Sequence, residues 1–147
     1  MTNREYPDRP IVGVGAIILE AGRVLLARRA AEPLRGQWSI PGGMVELGET
    51  LRAACAREAL EETGLEVRVG EVVDVFDSII AGPQPSAPRY HYVLIDFLCE
   101  VVGGELRAGS DASEAQWFTE SQLPPLGLRD VTLRVIEQAF RLRRPAD

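Results

Sequence analysis

Three glutamates near the end of one short segment are the residues best suited to chemistry. The stretch "GGMVELGETLRAACAREALEETGL", residues 42–65, contains Glu58, Glu61 and Glu62 at spacings of i, i+3 and i+4. On a helix these spacings put the three carboxylates on one face, within roughly 6 Å of one another. They also lie at the C-terminal end of the predicted helix, where the macrodipole disfavours each negative charge by about 0.3 to 1 kcal/mol. Stability alone therefore does not explain them.

A divalent cation would compensate for this crowded charge, because carboxylate oxygens are the ligands that Mg²⁺ prefers. Mg²⁺ keeps several of its waters and leaves room for substrate phosphates, so we expect Mg²⁺, or Mn²⁺, as the cofactor. Such an ion polarises a phosphoryl oxygen and holds a nucleophilic water, while a spare glutamate takes the proton. The alternative is an ordinary solvated acidic face, which is what most glutamate runs on helices are.

A helix from about residue 51 to residue 63 must carry these acids. Thr50 is the expected N-cap, and Gly64 is the expected left-handed residue just after the helix. The buried face is predicted from small or apolar residues at spacings of three and four: Ala53, Ala56 and Leu60.

Strand-like segments surround this helix. Residues 11–19 and 23–28 are rich in β-branched and aliphatic residues and are joined by a short "EAG", which is the pattern of a hairpin. Apolar or alternating runs predict further strands at residues 38–40, 67–78, 89–101 and 115–119. Residues 79–89 contain three prolines and are expected to form a connection. Residues 128–144 have the pattern of an amphipathic helix.

Composition limits the class of protein. A chain of 147 residues with 46% hydrophobic content is long enough for one domain with a core. A net charge of −6 argues against binding extended nucleic acid. The longest apolar stretch, residues 11–19, is far shorter than the roughly 20 residues that span a bilayer, so we expect a cytoplasmic protein with no membrane partner. Cys55 and Cys99, the only cysteines, are expected to be buried free thiols.

The acidic helix and its flanks resemble the Nudix box. The matching positions are Gly43, Glu49 and the run from Arg57 to Leu65, in which only Ala59 departs from the bulky aliphatic residue usual there. The upstream "GQWSIPGG" and the downstream "SDASEAQWF" are similar to the same family, so the resemblance covers about residues 11–140.

This resemblance implies an α/β (α+β) fold in which a mixed β-sheet is sandwiched between α-helices, in one domain spanning residues 1–147. It also implies Mg²⁺-dependent hydrolysis of a nucleoside diphosphate linked to another moiety. The resembled substrate is ADP-ribose or a similar nucleoside diphosphate sugar. A nucleoside triphosphate, as in pool-sanitising relatives, and a non-catalytic nucleotide-sensing module are the alternatives, and the intact acids favour an enzyme.

Roles follow from the resemblance position by position. Glu58, Glu61 and Glu62 match metal-binding acids, and the carbonyl of Gly42 matches a further oxygen ligand. Arg57 matches the residue that orients these acids. Glu49 either fixes the geometry of loop and helix by pairing with Arg57 or is itself a ligand.

A further acid outside the box often acts as ligand or base in this family. The loop "SDASEA" offers Asp111 and Glu114, of which we favour Asp111. The alternative is that either acid only caps or solvates the loop. We therefore take Glu58, Glu61, Arg57 and Asp111 as the catalytic candidates.

Substrate contacts are expected from residues on both sides of the box. Arg28, Arg29 and Arg35 can clamp phosphates bidentately, although surface charge is the alternative for the first two. Trp38, like Phe76, Tyr90 and Tyr92, can stack on a base or simply belong to the core. The substrate-binding candidates are thus Arg28, Arg35, Trp38 and Glu114.

A homodimer is a further expectation, since many relatives with this substrate class are homodimers. The N-terminal segment "TNREYPDRPIV", residues 2–12, is too polar and proline-broken to build a core by itself. It could instead pack across a two-fold interface.

Overall fold

The computed structural model describes residues 4–32 and 34–143. Within these residues the chain forms seven strands and two α-helices. In chain order these are β1 (Ile11–Glu20), β2 (Arg23–Arg29), β3 (Trp38–Ser39), β4 (Gly42–Met44), α1 (Leu51–Thr63), β5 (Leu65–Ile80), β6 (Tyr90–Gly104), β7 (Ala112–Thr119) and α2 (Asp130–Arg143). Two short 3₁₀ turns, at residues 120–122 and 124–126, lead into α2.

The strands form one mixed sheet with β1 at its centre. The order is β3-β2-β1-β6-β5, with β4 pairing with β1 and β7 pairing with β2. Only β1 and β6 run parallel among the described pairs, and the other pairs are antiparallel. The hairpin between β1 and β2 turns at Ala21 and Gly22, whose φ angles of 51° and 75° are those of a two-residue turn that matches strand twist.

Each face of the sheet carries its own hydrophobic core. Strand residues alternate between the faces, so Ile17 packs in the core beneath α2 while Ile18 packs in the core beneath α1. From α2 the buried residues are Val135, Ile136, Ala139 and Phe140. From α1 the apolar buried residues are Ala54, Cys55 and Ala59. The sheet therefore lies between the two helices, which confirms the expected fold class.

The caps of α1 were predicted correctly, but its buried face was not. Thr50 accepts a hydrogen bond from the Ala53 backbone, and Gly64 has φ 76°. Ala53 is exposed and Leu60 is 48% exposed, because the stripe that α1 turns toward the sheet begins at Ala54 and not at Ala53. The observed buried set is Ala54, Cys55, Ala59, Glu62 and Thr63. One of the three crowded glutamates thus lies on the buried side.

Other differences concern boundaries. No strand was predicted at residues 42–44, yet they pair with β1. Strand β5 continues through Ile80, so the connection spans residues 81–89. Residue 144, the expected end of α2, lies outside the described residues. Cys55 and Cys99 are buried and free, as expected, with their sulfur atoms 3.7 Å apart. Within the described ranges, no helix is long and apolar enough to cross a membrane.

The cap of α1 gives a test of the fold. Gly48 and Gly64 both have positive φ, 85° and 76°, but only at Gly64 would a Cβ collide with a backbone oxygen, that of Glu105. Gly48→Ala should cost about 1 kcal/mol from the backbone conformation alone. Gly64→Ala should cost about 2 kcal/mol or more, because the clash adds to that term. Urea unfolding measures both, and equal losses would contradict the described C-cap packing.

Candidate active site

Arg57 forms hydrogen bonds with three of the acidic side chains of the site. Its Nε and Nη2 atoms donate to the two oxygens of Glu49 at 2.7 and 2.9 Å. Its Nη1 atom donates to Glu58 at 2.8 Å and to Glu61 at 3.2 Å. Nη2 also donates to the carbonyl of Met44 at 3.1 Å. One side chain therefore joins β4, the following loop and α1, and the expected pairing of Glu49 with Arg57 is present.

Glu49 is held as a carboxylate by this pairing. The hydrogen bonds from Arg57 lower its pKa to about 2, and the backbone N–H of Glu46 adds to the effect. The same contacts raise the pKa of Arg57, so the guanidinium stays charged. Because two of its donor atoms are given to Glu49, Arg57 offers only Nη1 to the acids of the helix face.

Glu62 lies on the buried side of α1 and faces β4. It is 6% exposed and accepts a hydrogen bond from the backbone N–H of Gly42 at 3.0 Å. The pKa of Glu62 is raised to about 8, mainly by burial and in smaller part by the charges of Glu58 and Asp111, while the Gly42 bond opposes the shift. Glu62 is thus a carboxyl group whose negative charge the protein alone does not stabilise.

Glu58 occupies the space left by a glycine. A Cβ on Gly43 would come within 2.5 Å of its carboxyl group, so only glycine leaves room there. Burial raises the pKa of Glu58, and the hydrogen bond from Arg57 partly offsets the shift. Glu61 differs, since its side chain is 44% exposed and holds Arg57 at the longer distance of 3.2 Å.

The donor set fits a divalent cation, although the acids do not converge. Within residues 4–32 and 34–143, no three His, Cys, Asp or Glu side chains form a metal-binding cluster. Glu58 and Glu61 turn to Arg57, while Glu62 turns to Gly42. All the donors are nevertheless oxygens, and the charges of Glu58 and Glu62 are opposed by burial. A hard cation relieves this combination.

A cavity of about 140 Å³ opens beside these acids, and one face of the sheet forms its floor. Alternate residues of β5 and β6 make up this floor: Phe76, Ser78, Ile80, Tyr92, Leu94 and Asp96. In β1, Gly13 pairs with Leu94 and Gly15 with Asp96. A Cβ on Gly13 would come within 2.8 Å of Leu94, and one on Gly15 would collide with the Asp96 carboxylate. The two glycines therefore keep the floor open.

Several residues singled out in the sequence line this cavity. Gly42 and Glu62 lie at the end nearest α1, and Asp111 lines the cavity as well. Trp38 contributes to the wall, with its ring edge-on to Phe118 at a centroid distance of 5.1 Å. The cavity thus joins acidic residues to aromatic ones.

Three of the substrate-binding candidates lie elsewhere. Arg28 donates to the carbonyl of Gly36 at 3.0 Å and lies 3.5 Å from Glu114, and all three residues are exposed. Arg35 lies in an exposed loop, 3.9 Å from Glu32. Since neighbouring side chains on a strand point to opposite faces, Arg29 lines the cavity where Arg28 does not. Arg28, Arg35 and Glu114 are therefore not cavity residues.

The cavity contains one cation that the sequence offered as a phosphate clamp, Arg29. It also contains residues that the sequence reasoning missed, among them the cations Arg4 and Arg129. Arg4 belongs to a polar N-terminal segment, and Arg129 precedes α2, so neither belongs to a motif. Asp96 could have been found, because it is the acidic residue within the otherwise apolar run "YVLIDFL".

The burial of Glu62 predicts how stability depends on pH. Its folded-state pKa, about 8, lies above the ordinary glutamate value of 4.5, so its contribution to stability is fully present below about pH 4.5 and is lost as pH rises through 8. With a chelator present to remove metal ions, the Glu62→Gln variant should therefore melt several degrees higher than the unmodified protein at pH 9. Near pH 4 the two proteins should melt alike, and other titrating groups cancel in the difference. A lower melting temperature of the variant at pH 9 would contradict the desolvation of Glu62.

The chain is similar in sequence to known proteins of one family. The model of the NUDIX domain matches residues 9–139. A protein named ADP-ribose pyrophosphatase from Methanocaldococcus jannaschii is 42% identical over 117 residues, covering 80% of this chain and 66% of that protein. The chain thus spans just under two thirds of that relative. A CTP pyrophosphohydrolase of Escherichia coli is 35% identical over 136 residues, covering 91% of this chain and 96% of that protein.

A solved structure supports the same placement. The MutT NUDIX hydrolase of Burkholderia pseudomallei is 33% identical, with a TM-score of 0.77, and the match covers 89% of this chain and 98% of that one. The domain match includes Arg57 and the three glutamates of α1. The chain therefore belongs to the Nudix hydrolase family.

Proposed function

We propose that the protein hydrolyses the pyrophosphate bond of a nucleoside diphosphate linked to another moiety, with ADP-ribose or a nucleoside diphosphate sugar as substrate. The observation that carries this proposal is the pair of desolvated acids, Glu58 and Glu62, beside a cavity that contains both arginines and aromatic rings. Mg²⁺ is the proposed cofactor, with Mn²⁺ as a substitute. Glu58 and Glu62 would hold it together with the carbonyl of Gly42.

Glu61 completes the proposed ligand set. Its carboxylate is 44% exposed and shares Nη1 of Arg57 with Glu58, so it can turn away from Arg57 at little cost. Arg57 remains fixed by Glu49 and keeps the loop in place while the acids rearrange. When bound, the cation would polarise a phosphoryl oxygen and orient the attacking water.

The reaction balances with water as the only co-reactant. A water oxygen forms a bond to one phosphorus, the bridging P–O bond breaks, and the bridging oxygen leaves on the other phosphate. ADP-ribose would give AMP and ribose 5-phosphate. Asp111 is the proposed proton acceptor, because it lines the cavity near Glu62 and is exposed enough to pass the proton to solvent.

The cavity offers two kinds of surface to a nucleotide, one cationic and one aromatic. Arg4 and Arg29 line it together with Gly42 and Gly43, so they are the proposed phosphate-binding cations. Trp38 and Phe76 offer aromatic rings for the base. Anionic and planar parts of one nucleotide would therefore meet matching surfaces.

A nucleoside triphosphate is the second candidate substrate. The relative from Escherichia coli that is named CTP pyrophosphohydrolase favours a triphosphate, because the match covers 96% of that protein. The charges favour the diester, since the three cavity arginines are accompanied by three acids, Glu62, Asp96 and Asp111. A triphosphate brings more negative charge to such a site and needs more compensation. The intact acids disfavour a non-catalytic sensing module.

The assembly proposed from the sequence is a homodimer through residues 2–12, of which residues 2 and 3 lie outside the described residues. In the described part, Tyr6 is 50% exposed and Val12 is 40% exposed, so apolar surface is present for an interface. Light scattering that gives the monomer mass of 16.1 kDa at micromolar concentration would remove this proposal.

We further propose a cytoplasmic protein that binds small nucleotides and no extended nucleic acid.

The substrate is tested by the identity of the products. Purified protein with Mg²⁺ should convert ADP-ribose to AMP and ribose 5-phosphate, as separated by chromatography. A triphosphate would instead give a nucleoside monophosphate and pyrophosphate. A catalytic efficiency at least tenfold higher for a common or oxidised triphosphate than for ADP-ribose would overturn the choice of substrate and leave the proposed bond type standing.

The metal requirement is tested by variants of matched charge. Glu62→Gln should lower kcat/KM by about 10²-fold or more, because it removes a proposed ligand. It should also weaken Mn²⁺ binding measured by calorimetry. Glu100→Gln is the control, since Glu100 is an exposed partner of Arg68 on β6. If neither the Glu62→Gln substitution nor the addition of a chelator changes turnover, the metal mechanism is contradicted.

A further inference from the structure

Asp96 is a buried acid that the proposed catalysis does not use. It lies in the middle of β6, is 5% exposed and lines the cavity floor. Among the described residues, no donor forms a hydrogen bond with its carboxylate, and the nearest charge acting on it is that of Asp74. Buried carboxylates without a partner are rare, because burial costs them their hydration.

The surrounding residues hold this carboxylate toward the cavity. Its Oδ1 atom occupies the space above Gly15, where any Cβ would collide with it. Leu94 precedes it on the same face of β6, and Phe76 pairs with Leu94 from β5. Ile40 lies on its other side, near the same point above Gly15. Apolar surface therefore surrounds one acidic group that faces the ligand space.

Asp96 stands apart from the acids of α1. Glu58 and Glu61 are held by Arg57, and Glu62 is held by the backbone of Gly42. Asp96 has neither kind of partner, and burial raises its pKa to about 7. A structural role does not account for it, since its carboxylate forms no hydrogen bond or ion pair among the described residues. A ligand group that donates a hydrogen bond would supply the missing partner.

We propose that Asp96 determines base specificity by accepting a hydrogen bond from the exocyclic amine of the nucleobase. This inference rests on the proposed nucleotide substrate. A phosphate is excluded as the partner, because a carboxylate repels it. The aromatic and aliphatic floor around Asp96 fits a flat base better than a sugar. In an adenine nucleotide the exocyclic amine is the only N–H group of the base, so it is the donor that the base offers to this carboxylate.

The test compares two substrates that differ around the position of this amine. Inosine diphosphate ribose carries a carbonyl oxygen and an adjacent ring N–H where ADP-ribose carries the amine and an unprotonated ring nitrogen. The unmodified protein should prefer ADP-ribose at least tenfold in kcat/KM, mainly through KM, because a buried polar site rejects an analogue that leaves it unpaired. In Asp96→Asn the preference should fall to about threefold or less, since the amide can donate to the carbonyl oxygen. Asp96→Ala should lose the preference as well.

Asp77→Asn is the matched control, because Asp77 lies on β5 with an exposed side chain outside the cavity. It should keep the preference of the unmodified protein. A preference near one in the unmodified protein, or one that survives in Asp96→Asn and Asp96→Ala, would overturn the assignment. Thermal melts of the variants show whether they fold.

Binding of the products separates this inference from the proposed activity. Calorimetry with AMP and IMP needs no turnover, and AMP should bind at least tenfold more tightly. Selective AMP binding without hydrolysis of any nucleotide would support the role of Asp96 and reject the proposed function. Hydrolysis of ADP-ribose with equal affinity for AMP and IMP would reject the role of Asp96 alone.

Discussion

The bidentate pair between Arg57 and Glu49 is the interaction on which the site depends. It uses two of the donor atoms of the only arginine that reaches the helix acids among the described ion pairs. Because Glu49 binds Nε and Nη2 of Arg57, Glu58 receives one hydrogen bond from Arg57 and Glu62 receives none. The arginine therefore orders the loop and leaves an uncompensated negative charge on the buried side of α1. That excess charge is the property that a cation site needs.

The rest of the fold supports this unfavourable arrangement. The core between α1 and the sheet holds the helix close to β1, and the apolar side chains that α1 contributes to this core are only alanines and one cysteine. The small side chains bring Glu62 within reach of the Gly42 backbone. Gly43 leaves space for the carboxylate of Glu58, as Gly15 does for that of Asp96. Stability gained in the two cores thus offsets charge that is desolvated for chemistry.

Features fixed by local sequence could be predicted, while those fixed by packing could not. Thr50, Gly64 and the hairpin turn at Ala21–Gly22 follow from the conformational preferences of their own residues. The buried face of α1 depends on how closely the helix approaches the sheet, so the spacing of Ala53, Ala56 and Leu60 predicted the wrong face. The cavity arginines come from three distant parts of the chain, and only the folded sheet brings Arg4, Arg29 and Arg129 to one cavity.

Two kinds of desolvated acid lie in or beside the cavity, and the difference between them has a physical basis. Glu58 and Glu62 lie close enough for their charges to oppose one another, so a single multivalent cation can relieve both. Asp96 lies among apolar residues, with only the like charge of Asp74 acting on it, so a neutral donor relieves its burial at lower cost than an ion would. The same desolvation therefore favours a metal at one end of the cavity and a base amine on its floor. A nucleotide that spans both ends would meet each requirement with a different part of its structure.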